Sequence, residues 1–354
     1  MKNFFINRSI FIFSFFILNI SLFGQENPEK ETTKPDSTET KKTIESLTKG
    51  SKKFKGMFTF FQDTTNGSVQ MLIERNQLNK EFIHFVHTLD GVVDVGHFRG
   101  AYKTSKIFEI RKYFNRIEFV TINTSYFFDP NNPLSKASTA NINESVLASV
   151  EVVFLDKQTG SMLIKADGVF LSENLYQIKP SPNPNIKPGA RFSLGSLNKK
   201  KCQYVSINNY PLNSDIAIKY VFDNPTPVNR GGPGITDPRS VNLVIQHSFI
   251  AVPTNNYIPR QDDPRVGYFM TQVTDMTSVS NTPYKDIIHR WNLQKKDPEL
   301  PISEPIKPIV FWIENTTPLE FRDAVKEGVL RWNKAFRTAG FKNAIEVNVQ
   351  PDNA

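Results

Sequence analysis

The sequence predicts an α+β chain: a large, mostly antiparallel β-rich body, followed near the C-terminus by a strand, a long helix and a second strand. Three observations carry this. Across residues 54–253 the apolar residues recur mainly with period two, in runs separated by turn residues and with no long helical pattern between them. After Pro301 the period changes to that of a helix, with Phe321, Val325, Val329, Trp332 and Phe336 spaced four, four, three and four. Short apolar runs flank that helix at 309–313 and 344–349, the pattern of a strand–helix–strand crossover.

The composition agrees with folded domains. The chain has 354 residues, of which 39% are hydrophobic and 22% charged, enough for two or three cores. This excludes collagen-like, fully disordered and multi-span membrane chains. A single cysteine, Cys202, rules out an intrachain disulfide and a Cys-rich zinc module. The formal charge of +8 falls by two to +6 if Lys2 and Arg8 leave with a leader. Spread over this length, it gives no argument for a nucleic-acid partner.

Taken in chain order, residues 1–24 read as a signal peptide. Lys2 and Arg8 form a positive start, residues 10–23 (IFIFSFFILNISLF) an apolar core, and Gly24 a small residue for cleavage before Gln25. The run is shorter than the roughly 20 residues of a spanning helix, so no stable membrane span is expected after cleavage. Export to the periplasm, the outer surface or the medium follows as an expectation. Residues 25–53, rich in Lys, Glu, Thr, Ser and Pro and lacking aromatics, read as a disordered polar tether.

Residues 54–300 form the expected β-rich domain. Residues 81–89 (EFIHFVHTL) alternate, placing Phe82, His84, Val86 and Thr88 on one face and His87 on the other. Apolar runs at 107–110 and 117–122 flank a turn at Tyr113, Phe114, Asn115 and Arg116. Runs at 150–155 and 162–165 flank a loop ending in Gly160. Further strands are expected at 203–207, 216–222 and 241–252. The proline-rich stretches 179–188 and 224–238 read as loops.

Residues 301–354 form the second expected domain. The run Ile309–Ile313 is apolar on both faces, as in a strand covered on both sides, with Pro308 at its start. In the helix, Thr317 is expected to cap, Pro318 to take the first helical position, and Glu320 to complete a capping box. Its apolar stripe, Trp332 included, reads as core. Gly340 is expected to end it in the left-handed conformation, with Phe341 folding back on Phe336.

Several stretches together resemble a known family. They are residues 246–269 (QHSFIAVPTNNYIPRQDDPRVGYF), 288–297 (IHRWNLQKKD), 303–344, the glycine-punctuated run Gly91, Asp94, Gly96, Arg99, Gly100, and 144–171 with Ser149 opening a strand. The chain thus resembles secreted bacterial zinc-dependent metalloproteases of the metzincin kind, which carry a large β-rich N-terminal domain of unassigned function. That resemblance implies an α/β metalloprotease domain opening at residue 301 and, in the full-length form, a zinc ion, a peptide or protein substrate, and a helix bearing HExxHxxGxxH. None of the five histidines, His84, His87, His97, His247 and His289, is followed by Glu. The zinc helix is therefore expected beyond Ala354, and no catalytic, cofactor-binding or metal-ligating residue is assigned here. On this reading the chain is the inactive N-terminal portion of an exported zinc metallopeptidase, with the missing catalytic half as its intramolecular partner. The alternative is a non-catalytic exported β-rich binding or surface module.

The remaining chemistry-bearing residues read as structural. His84 and His87 face opposite ways and cannot chelate one ion with His97. Cys202 reads as a small buried hydrophobe, 199–201 as a solvated lysine loop, and Asp263 with Arg265 as the clamp of a turn.

Overall fold

Short runs rich in phenylalanine and β-branched residues pair almost wholly antiparallel in the computed structural model, which describes residues 42–352. Helix α1 (Ile44–Leu47) leads into β1 (Ser51–Lys55), β2 (Thr59–Asp63), β3 (Val69–Ile73), β4 (Glu81–Asp90), β5 (Tyr102–Tyr113), β6 (Arg116–Thr121), β7 (Tyr126–Phe127), β8 (Ser145–Leu155) and β9 (Met162–Lys165). Helix α2 (Asp167–Phe170) precedes β10 (Ser196–Leu197), β11 (Gln203–Asn209), β12 (Asn213–Asp223), β13 (Ser240–Ala251), β14 (Met270–Asp275) and β15 (Tyr284–Ile288). Last come β16 (Ile309–Ile313), α3 (Leu319–Leu330), α4 (Trp332–Thr338) and β17 (Ile345–Val349). This is a β-rich α+β architecture. The signal-peptide region and most of the expected tether lie outside the described residues.

Twelve strands form one sheet in the order β1-β2-β3-β9-β8-β6-β5-β4-β13-β12, with β10 and β11 both pairing to β12. Its two ends meet. The Met57 N–H donates to the Tyr210 carbonyl at 2.6 Å, and Asn209 Nδ2 donates to the carbonyls of Phe54 and Phe58. Gly56 permits the approach, since a Cβ there would lie 2.4 Å from Asn209 Oδ1. One core fills the inside. Phe58 packs on Phe82, Phe82 on Phe108, and Phe108 on Phe249, with ring centroids 5.2, 5.6 and 5.2 Å apart. Fully burying each such ring contributes about 1.5–3 kcal/mol.

The period-two reading holds where it was most regular. In β4 it buries Phe82, His84, Val86 and Thr88, and leaves His87 on the outer face. The β5–β6 hairpin turns at Phe114 and Asn115, with Phe114 at φ +50°, and the β8–β9 loop closes with Gly160 at φ +74°. Both proline-rich stretches are loops. Ser149, however, sits in the middle of β8, which opens at Ser145.

Residues 43–53, expected to belong to the tether, are structured. Thr43 caps α1 in a reciprocal box with Ser46, and β1 pairs antiparallel with β2. Lys52 and Lys53 lie over the rings of Phe54 and Phe61 at 4.9 and 5.5 Å. A lysine-rich strand is stable here because its partner supplies the apolar surface that its own composition lacks.

Two small sheets complete the structure. β15, β14 and β7 form the first, with β14–β7 parallel. β16 and β17 form the second and run parallel, joined through α3 and α4, which is the expected strand–helix–strand unit. Its core is Ile309, Ile313, Ile345 and Val347, with Leu293, Val329, Leu330 and Phe336 packed against it. Leu293, and the bridge of Lys295 with Pro305, show that the chain joins this second core before residue 301.

The helix departs from expectation at its start and in its facing. Pro318 is the N-cap, Thr317 makes no cap, and Arg322 instead donates to the carbonyls of Asn315 and Thr317. Arg331 interrupts the helix between α3 and α4. The contact side is Val329, Leu330, Asn333 and Phe336; Asn333 exchanges two hydrogen bonds with the Ile345 backbone. Phe321, Val325 and Trp332, read as core, are exposed at 56%, 42% and 65%. β16 is buried only at Ile309 and Ile313, and Val310, Phe311 and Trp312 between them are exposed. The ending is as expected: Gly340 has φ +90°, its N–H reaches Arg337, and the Phe341 N–H reaches Phe336.

Candidate functional site

The inward face of β13 carries Val241, Leu243, Ile245, His247 and Phe249, so alternation drives His247 into the core beside β4. There His84 Nε2 lies 3.0 Å from His247 Nδ1, and His247 Nε2 lies 2.8 Å from the Tyr220 hydroxyl. Tyr220 in turn donates to the Phe170 carbonyl at 2.8 Å. A carbonyl only accepts, so the single hydroxyl proton of Tyr220 is committed to it. His247 must then donate from Nε2 and accept at Nδ1, and His84 must donate from Nε2. One carbonyl thus sets both tautomers. Burial pushes the His247 pKa down to about 3 and holds that of His84 well below the usual histidine range, with His247 and Lys106 adding to the latter. Burial likewise raises the Tyr220 hydroxyl well above its ordinary value. The three side chains are at most 2% exposed, so this relay is neutral and sealed from substrate.

The other histidines sit apart. His97 Nδ1 meets Thr88 Oγ1 at 3.1 Å and its Nε2 meets the Ile178 carbonyl at 3.2 Å. His87 lies on the outer face, its buried Nδ1 without a hydrogen-bond partner among the described residues, and His289 meets Thr271. His84, His87 and His97 therefore do not converge. Among the described residues no three His, Cys, Asp or Glu side chains are grouped to hold a metal. Cys202 is buried and its thiol pKa is raised by that burial. In the lysine loop, Lys201 pairs with Asp223 at 2.8 Å. A cleft of about 260 Å³ beside Lys49 and Lys165 includes Asp167, whose Oδ1 already accepts from the Val69 N–H and the Tyr204 hydroxyl.

The motif residues prove to be joints. Gly91 lies where a Cβ would stand 2.6 Å from the His97 carbonyl, and Asp94 Oδ1 accepts from the Gly232 N–H in the proline-rich loop. Arg99 pairs with Glu314, beyond β16, at 2.9 Å. The tripeptide Asp-Pro-Arg occurs twice with one geometry. In both Asp237-Pro238-Arg239 and Asp263-Pro264-Arg265, the Asp accepts from the Arg N–H and from Nε, while Nη2 reaches Oδ2 at 2.6 Å. Asp–Arg self-pairing across a proline clamps a turn, as expected of Asp263 and Arg265.

The exposed candidate surface is the stretch from Tyr257 to Trp291. Arg290 stacks on Tyr257 at 4.4 Å and donates to the Ile258 carbonyl; Arg260 stacks on Tyr268 at 5.4 Å. Phe269 is tied to His289 by a backbone hydrogen bond, and its ring is 88% exposed.

Residues 100–296 match the family described as a domain of unknown function (DUF5117). The chain belongs to the DUF5117 family. No curated protein and no solved structure matches it. The DUF5117 segment spans β5 to β15 and so contains His247, Tyr220, both Asp-Pro-Arg turns and the Tyr257–Trp291 surface. It ends before β16 and begins after Gly91, Asp94 and His84. The relay was not legible as a site, because its partners are 163 and 27 residues apart. The available signal was the inward alternation that places a histidine between Ile245 and Phe249.

Proposed function

We propose that this DUF5117 chain is the N-terminal portion of an exported zinc-dependent metallopeptidase, inactive alone, in which the β-rich body carries the opening strand–helix–strand of the catalytic domain. The observation that carries the reading is the unfinished state of the β16–α3–α4–β17 unit. It has parallel strands and a Schellman helix ending, yet Val310 and Trp312 on one side and Phe321, Val325 and Trp332 on the helix flank are uncovered. Two strands and a helix bury too little to be a domain. Zinc enters with the polypeptide that completes the unit, on an HExxH helix whose two histidines share a helical face. The test is the gene downstream of the Ala354 codon. An HExxH in any frame within about 40–80 further residues supports the reading; a stop followed by unrelated sequence contradicts it.

One observation favours a second reading. The family match covers 100–296 and leaves out β16 and β17, as it leaves out β1–β4, so the matched segment is defined without the strand–helix–strand unit. It would then be a non-catalytic exported binding or surface module, the outcome indicated by the second result of the same test.

A further inference from the structure

We propose that the turns at one end of the large sheet form a docking surface for an anionic phospholipid bilayer, with Tyr113, Phe114, Tyr210 and Leu212 entering the headgroup region between flanking lysines and arginines. This inference is independent of the peptidase reading.

Strand register brings these turns to one end. β5 and β6 close where Tyr113 pairs with Arg116, and the Asn115 carbonyl accepts from the Val152 N–H at 2.7 Å, which sets the β8–β9 loop beside that turn. β4 begins toward the same end, since the Asn79 N–H donates to the Ile110 carbonyl and Phe82 lies opposite Ala251. Asn213 lies opposite Ile250, and the Leu212 carbonyl accepts from the Ala251 N–H, so the β11–β12 turn falls there too. Apolar side chains on these turns protrude: Tyr113 is 58%, Phe114 78%, Tyr210 51% and Leu212 69% exposed.

Shape, charge and turn chemistry fit a bilayer. The β5–β6 and β11–β12 turns are four strands apart in the sheet, roughly 19 Å at about 4.8 Å a strand. Projections so far apart match a broad surface, where a single pocket would take only one of them. Lys55, Arg75, Lys80, Lys112, Arg116 and Lys157 lie at this end, exposed and without an ion-pair partner among the described residues. Glu74, Glu81, Glu151 and Asp156 share the end and leave the cations in excess. Asp156 is held within its own turn by the Gln158 N–H and the Thr159 hydroxyl. Phe114 has φ +50°, a conformation that Asn and Gly take readily and a bulky ring rarely takes. Its ring stands edge-on to Tyr113 at 4.9 Å. The local cost of this turn is not offset by burying the ring. Exposed aromatic rings flanked by Lys and Arg are the groups that settle at a membrane interface.

Hydroxyl-radical footprinting of the 354-residue chain reads these four side chains directly, with phosphatidylglycerol vesicles, with phosphatidylcholine vesicles and without lipid. The expected result is a several-fold fall in oxidation of all four with phosphatidylglycerol and little change with phosphatidylcholine. Val93 and Phe98, in the β4–β5 connection at the other end of those strands, should stay accessible. Lys112→Glu with Arg116→Glu should raise the phosphatidylglycerol concentration for half-protection by about tenfold or more. Phe114→Asn, which suits the turn, should raise it several-fold without lowering stability. Unchanged oxidation with phosphatidylglycerol, or protection that neither variant weakens, overturns the proposal. Equal protection by soluble polyphosphate assigns the surface to a soluble polyanion. Protection without lipid that grows with protein concentration assigns it to a second copy. Either result also overturns the proposal.

Discussion

At the level of single residues, the Phe170 carbonyl governs more than its size suggests. By holding the Tyr220 proton it orients two buried histidines, and its effect is open to measurement. Tyr220→Phe leaves that carbonyl and His247 Nε2 without partners, and should cost about 1–3 kcal/mol in chemical denaturation. The histidines also make the fold acid-sensitive. Above about pH 6.5 they are neutral folded or unfolded and add no pH dependence. Below it the unfolded chain takes up protons that His247 refuses until about pH 3. Stability should therefore fall from about pH 6.5 to 3 by on the order of 1 kcal/mol per pH unit through His247, and His84, whose pKa is also lowered, should add to the fall. Urea titrations at stepped pH check this, and a His84→Phe variant with an unchanged slope would contradict it. Inward facing of His84 was legible from alternation alone. Its partner was not, since register between β4 and β13 is set by packing between distant segments.

Among the elements, the hairpins could be read because turn chemistry and strand period lie in adjacent residues. The helix could be read for its period and its ending, but not for its facing. Periodicity locates an apolar stripe without saying which part of it meets the sheet, and here Asn333 and Arg322 fix the contact, turning Phe321, Val325 and Trp332 to one flank. The capping box failed because the helix begins one residue later than expected: Pro318 is the N-cap, which leaves Thr317 outside and Glu320 one position short of N3. The ending gives a prediction. Gly340→Ala forces a Cβ onto a φ of +90°, 3.0 Å from the Pro301 carbonyl, and should cost about 1 kcal/mol or more of the second core. The seam of the large sheet gives another. Gly56→Ala places a methyl group against the Asn209 side chain and backbone and should destabilise the body by roughly 1–3 kcal/mol. Thermal melts distinguish the two, since the first variant should weaken β16 and β17 and spare the body.

For the molecule as a whole, one large phenylalanine-rich core stands beside a small one of Ile309, Ile313, Ile345 and Val347. Opening free energy scales with buried contact, so amides of β16 and β17 should exchange hydrogen well before those of β12 and β13. Equal protection would mean that the two cores open together. The β-rich body was legible in outline from composition and period. The meeting of its sheet ends at Asn209 and the early start at Thr43 were not, because both depend on what a distant strand supplies.

On the proposed reading, the strand–helix–strand unit opens a zinc peptidase domain whose metal helix lies farther along the polypeptide. Metal content after dialysis, measured on the 354-residue chain and on the longer polypeptide from the same gene, tests it most directly. No tightly held zinc is expected in the former and stoichiometric zinc in the latter, together with chelator-sensitive cleavage of a generic protein substrate. Stoichiometric zinc in the short chain, or a longer polypeptide that holds none, would contradict it.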